Sequence, residues 1–134
     1  MSPAEALRTA IHAALLADAP LASVLGGAHV YDVPPGAPAF PYVTLGEAQS
    51  EDWSTATERG IELRLTLHAW SRQGGHGEAH AIAHALQQAL HDADLALAGC
   101  RLVNLRATTA DIRREAGGRT YHALVRFRAV IETG

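Results

Sequence analysis

Between Ile61 and Trp70 apolar and polar side chains alternate without a break. Ile61, Leu63, Leu65, Leu67 and Ala69 share one side, and Glu62, Arg64, Thr66, His68 and Trp70 share the other. A period of two over this length predicts a strand with one face toward a core. Thr120 to Glu132 repeats the pattern, with Tyr121, Ala123, Val125, Phe127, Ala129 and Ile131 on the apolar side. Shorter strands are predicted at His29–Val33, Tyr42–Gln49 and Leu102–Thr108. Gly117-Gly118 supplies the turn before the last strand.

Helical spacing marks the remaining segments. Leu7, Ile11, Ala14 and Leu15 make one stripe behind a start at Ser2-Pro3-Ala4-Glu5. There Ser2 can cap the first turn, and Pro3 stands where a missing N–H costs nothing. Asp18-Ala19-Pro20 stops this helix and opens a short one, Leu21–Leu25, closed by Gly26-Gly27. His76 to Asp92 is predicted as a third helix whose apolar side is largely alanine and can lie close to a sheet. Pro34, Pro35, Pro38 and Pro41 exclude helix and central strand between Val33 and Tyr42, leaving an extended loop that Phe40 and Tyr42 pin to the core. Ser50–Gly60 is predicted as a long acidic connection around Trp53, joining two strands as a hairpin with an extended tip. The expected fold is α+β with two layers: a mostly antiparallel sheet covered on one face by two main helices, in a single domain over residues 1–134.

Composition narrows the possible chemistry. A chain of 134 residues with 48% hydrophobic residues can bury a real core. A net charge of −3 gives no general affinity for polyanions, and every basic residue is arginine. Cys100, the one cysteine, excludes an internal disulfide framework and is expected to be a small buried thiol. No apolar run is long enough for a membrane span, and the N-terminal charges do not fit a signal peptide, so a cytoplasmic site of synthesis is expected.

Candidate sites are few. His76, His80, His84 and His91 lie within about 80° of one another on a helical wheel. His80 and His84 have the spacing of two ligands on one metal, the basis for an alternative reading as a small metal-dependent hydrolase. However, Ala81 stands where a zinc protease has its glutamate, and the row faces away from the apolar stripe, as a solvated face does. No nucleophile has a partner fixed beside it, and Gly74-Gly75-His76-Gly77 lacks the residues of a phosphate-binding loop. No catalytic residue, cofactor or metal is expected.

The polar side of the two long strands carries Glu62, Arg64, His68 and Trp70, together with His122, Arg126 and Arg128. This is either a solvated face laced with cross-strand Glu–Arg pairs or a contact surface for another subunit. Trp53, amid Glu51 and Asp52, either folds back onto its own domain or buries itself in a neighbour, as interface tryptophans do. A dimeric partner-binding domain is a further alternative.

Marks spread along nearly the whole chain carry a family resemblance. In order they are Asp18-Ala19-Pro20-Leu21, Gly26-Gly27-Ala28-His29-Val30-Tyr31, Phe40-Pro41-Tyr42-Val43-Thr44-Leu45-Gly46 and Trp53-Ser54-Thr55. Leu67-His68-Ala69-Trp70-Ser71, the helix after Gly74-Gly75 and Tyr121-His122-Ala123-Leu124-Val125-Arg126-Phe127 follow. The chain resembles the tail terminator, or tail-completion, proteins of long-tailed bacteriophages and gene transfer agents. The resemblance implies a structural protein and no enzyme. It implies a ring, commonly a hexamer, at the head-proximal end of the tail tube, made in the bacterial host and located at the head–tail junction. The ring would stop tube polymerisation and meet the head connector, with DNA passing through its lumen without specific binding. Its partners would be copies of itself, the tube protein and the connector or stopper. Residues assigned to the subunit or tube interface are Glu51, Asp52, Trp53, Arg64, His68, Trp70 and Arg126.

Overall fold

A computed structural model describes residues 1–133. Helix α1 spans Pro3–Leu16, with Ser2 Oγ accepting from the Glu5 N–H. Helix α2 spans Ala19–Leu25, capped by Asp18 and closed by Gly26 in the left-handed region. The strands are β1 (Val30–Tyr31), β2 (Tyr42–Asp52), β3 (Gly60–Ser71), β4 (Ala96–Leu97), β5 (Cys100–Arg114) and β6 (Tyr121–Glu132), and helix α3 (Gly77–Leu90) lies between β3 and β4. The strands form one six-stranded sheet in the order β1-β2-β3-β6-β5-β4. Every pairing is antiparallel except β1 with β2.

One face of this sheet holds the core. Leu63, Leu65, Leu67 and Ala69 of β3 and Ala123, Val125, Phe127, Ala129 and Ile131 of β6 are buried there. Leu7, Ile11 and Leu15 of α1 and Ala79, Ile82 and Leu86 of α3 cover them. The alanines of α3 let its axis approach the strands, as their small volume predicts. Phe40 packs edge-on against Tyr42, and the Arg72 guanidinium lies 4.1 Å from the Phe40 centroid, which ties the proline loop to the sheet.

Two strands are longer than periodicity predicts. β2 continues through Ser50, Glu51 and Asp52, and β5 continues from Thr109 to Arg114. Both extensions are largely polar and exposed, with only Ile112 half-buried against the core, so no alternation of buried positions marks them. Their partners hold them: Glu51 pairs with Glu62, and Arg113 with His122. The connection therefore shrinks to residues 53–59, and Glu51 and Asp52 are strand residues rather than loop residues. α3 is shorter than expected at both ends. His76 precedes it without a side-chain cap, and Asp92 takes a φ of 58° that ends helical geometry. β4 has too few residues to carry a pattern. Cys100 is only half-buried, its thiol 3.6 Å from the Ala98 carbonyl, because it begins a strand at the sheet's rim.

Candidate interaction surface

Alternation sends the even-numbered residues of β3 and β6 to the face away from the helices. Glu62 is buried there, because both its oxygens are covered by guanidinium groups. Arg64 Nε and an Arg64 terminal nitrogen each stand 2.8 Å from Oε1, and an Arg128 terminal nitrogen stands 2.8 Å from Oε2. Donation from Arg128 and then from Arg64 holds the Glu62 carboxyl below its usual value. The ion triad locks β3 to β6 at the level where Arg64 faces Arg128. Arg126 reaches the other way, donating to Asp111 at 2.6 Å and to Thr109 Oγ1 at 3.3 Å. Between these pairs lies a trough of about 580 Å³ lined by Gln49, Arg64, Thr66, Thr108, Arg126 and Arg128.

Toward the Tyr42 end the face becomes aromatic. Trp70 stacks on His122 with centroids 3.9 Å apart and planes 12° from parallel. His122 Nδ1 lies 2.7 Å from Glu115, its Nε2 lies 2.7 Å from His68 Nδ1, and His68 Nε2 lies 3.3 Å from Glu47. With both rings in the neutral form there are two ring protons for these three contacts. The tautomers that satisfy both short ones have His122 Nδ1–H donating to Glu115 and His68 Nδ1–H donating to His122 Nε2. The contact left without a proton is then the longest, His68 to Glu47.

Burial lowers the His122 pKa, outweighing the opposite pull of Glu115. A depressed histidine pKa means that the folded state binds fewer protons than the unfolded chain. Its contribution is complete above the ordinary value of 6.5 and declines as the pH falls below it. Urea titrations from pH 7 to pH 5 should show stability falling, and His122→Gln should flatten that slope. An unchanged slope would show that His122 is not the group responsible.

Trp53 begins the connection after β2. Its N–H donates to the Gly60 carbonyl at 2.9 Å, yet its side chain is 47% exposed. It is neither free in solvent nor folded into the core. Asp52 accepts from Ser54 Oγ at 2.7 Å, which shapes the first turn of the tip.

The residues singled out in the sequence fall into two groups. Arg64, His68, Trp70 and Arg126 share the open face of β3 and β6, and Glu51, Asp52 and Trp53 lie together at the far end of the β2–β3 hairpin. Asp111, Thr109 and Glu115 join the first group, but Asp111 and Thr109 lie in the polar half of β5, where no local signal marks a strand. His80 and His84 stand on the exposed side of α3. Among the described residues no three His, Cys, Asp or Glu side chains converge on a common point.

This architecture is similar to that of a building block of a phage-like particle. The structure matches a chain of the virion of a native gene transfer agent particle with a TM-score of 0.89 and 38% identity, covering 96% of each chain. A family model described as "Tail completion protein gp17" matches residues 9–132, and the chain belongs to that family of virion proteins. Tail completion protein gp17 of Bacillus phage SPP1 is 27% identical over 94 residues, covering 69% of this chain and 68% of the relative. No helix among the described residues is long and apolar enough to cross a membrane.

Proposed function

We propose that this tail completion protein works by geometry: copies of the chain close into a ring, of hexameric order, at the head-proximal end of a tail tube. The ring ends tube polymerisation and offers its other side to the head connector. DNA passes through the opening without specific binding, consistent with a net charge of −3. The observation that carries this reading is the near full-length likeness to a chain of an assembled gene transfer agent virion. A ring of identical subunits needs two different patches that complement each other across a heterologous contact. The tip with Glu51, Asp52 and Trp53 and the open face with Arg64, His68, Trp70 and Arg126 are two such patches. One is acidic with an exposed indole, and the other is rich in arginine and aromatic rings.

A producing strain lacking this chain is expected to yield tails of irregular length that fail to join filled heads. Normal-length tails joined to heads would defeat the proposal. Trp53→Ala tests the tip by itself. Because the indole is about half exposed and lies outside the core, the variant should stay close to the wild-type unfolding midpoint. Loss of a buried interface tryptophan costs at least about 2 kcal/mol per contact, so ring formation should weaken by more than tenfold. Native mass measurement and negative-stain images read the result, and unimpaired rings and capped tubes would remove Trp53 from the interface.

A further inference from the structure

The sheet ends in two long strands whose outer edges are largely unpaired. β1 covers β2 only at Val43 and Thr44. β4 covers β5 only at Cys100 and Arg101, and the end of α3 covers a little more, through the Asp92 N–H on the Leu105 carbonyl and His91 Nδ1 on the Ala107 N–H. Ala48–Asp52 of β2 and Thr109–Arg114 of β5 lie beyond those covers. Open edges of this kind are templates for another strand.

The direction of the backbone groups follows from alternation. The Trp53 N–H donates to Gly60, so Trp53 faces β3. Counting back, Asp52, Ser50 and Ala48 point their N–H and C=O groups away from the sheet. The Glu115 N–H donates to Thr120, so Glu115 faces β6, and Arg114, Ile112 and Ala110 point outward. Each edge thus offers three outward residues.

We propose that the free edge of β5 in one copy pairs antiparallel with the free edge of β2 in the next, making one continuous sheet around the ring. The proposal rests on the ring reading and adds the contact that closes it. Three further observations favour a second copy as the occupant. First, β2 and β5 are the outer members of four long strands that alternate in direction. A copy rotated about a ring axis to which the strands are tilted keeps their alternation and brings β5 beside β2 antiparallel, the more stable pairing. Second, the edges differ in charge: β2 carries Glu51 and Asp52 on its free stretch, and β5 carries Arg113 and Arg114, its Asp111 being paired with Arg126. Opposite edges attract and like edges repel, which selects head-to-tail closure over a two-fold dimer.

Third, the free stretches lie at opposite ends of the sheet. Glu51 is level with Asn104, through Glu62 and Val130, whereas Arg113 is level with Tyr42, through His122 and Trp70. Pairing them staggers each copy along the strand direction, and a sheet closes into a tube only with such a stagger.

Hydrogen exchange on dilute and assembled protein tests the contact directly. The amides of Ser50, Asp52, Ile112 and Arg114 should exchange at least about tenfold more slowly in rings, because hydrogen-bonded amides exchange only when the pairing opens. Charge reversal gives a second readout. Glu51→Arg with Asp52→Arg, or Arg113→Glu with Arg114→Glu, should leave an unchanged unfolding midpoint but no rings, and all four changes in one chain should restore rings. Rings that leave those four amides exchanging as in the dilute protein overturn edge pairing while leaving the ring itself intact. A wild-type chain that stays monomeric even with tube protein overturns the ring reading, and edge pairing falls with it.

Discussion

Replacing Phe127 by alanine is expected to remove about 3–5 kcal/mol of stability, the range for deleting a buried aromatic ring. Phe127 is 1% exposed and sits at the centre of β6, opposite Leu65 of β3 and Ala107 of β5. Its ring belongs to the core cluster on the side covered by α3, where the sheet cannot collapse because β3 and β5 hold it from both sides. The lost contacts therefore leave a cavity rather than a rearranged core. A domain of this size has a total stability of about 5–15 kcal/mol, so this single change removes a large share of it. Urea unfolding should show a lower midpoint at an unchanged slope. Phe127→Leu, which keeps most of the volume, should cost less than about 1.5 kcal/mol. A loss below about 1 kcal/mol for the alanine variant would mean that this site is not closed as described.

Gly46→Ala is expected to cost about 1–3 kcal/mol through crowding. A Cβ at Gly46 would stand 2.6 Å from two atoms of the His68 ring and 2.6 Å from the Thr66 carbonyl oxygen. The ring could turn away, but the carbonyl belongs to the central strand and cannot. Gly46 lies where the β2–β3 register shifts between Leu45 and Ala48, and its own carbonyl accepts from Arg8 of α1 at 2.5 Å. Displacement there pushes His68 off His122 and loosens the grip of α1 on the sheet. The variant should therefore show a lower unfolding midpoint together with a weaker pH dependence between pH 7 and pH 5. A lower midpoint with an unchanged pH slope would show that the rings keep their contact and that only the helix has loosened.

These two positions mark the boundary of what local pattern reveals. Phe127 is legible in the sequence, because it falls on the apolar side of a long alternating run. Gly46 is not. Its neighbours in the chain say nothing of His68, which reaches it across the sheet. The same holds for the polar halves of β2 and β5. Ser50–Asp52 and Thr109–Arg114 bury no alternating face, so periodicity is silent there, and only pairing with β3 and β6 extends them as strands. Asp111 joined Arg126 in the site for that reason alone. The tip was readable as an exposed, acidic, tryptophan-bearing segment, but not its length.

Taken alone, the order of residues determined the elements with one buried side, namely α1, α2, α3, β3 and β6, the caps of α1 and α2, and a two-layer α+β arrangement. Burial of apolar surface leaves a periodic trace along the chain, because each element must turn its apolar side inward. Tertiary structure decided the rest. It joined the strands into one sheet, brought His68, His122 and Trp70 into a stack, placed Glu62 under two arginines, and, among the described residues, left most of one edge of β2 and of β5 unpaired. Those features depend on register between strands far apart in the chain, and register is set by packing and pairing across the sheet rather than by any segment's own composition.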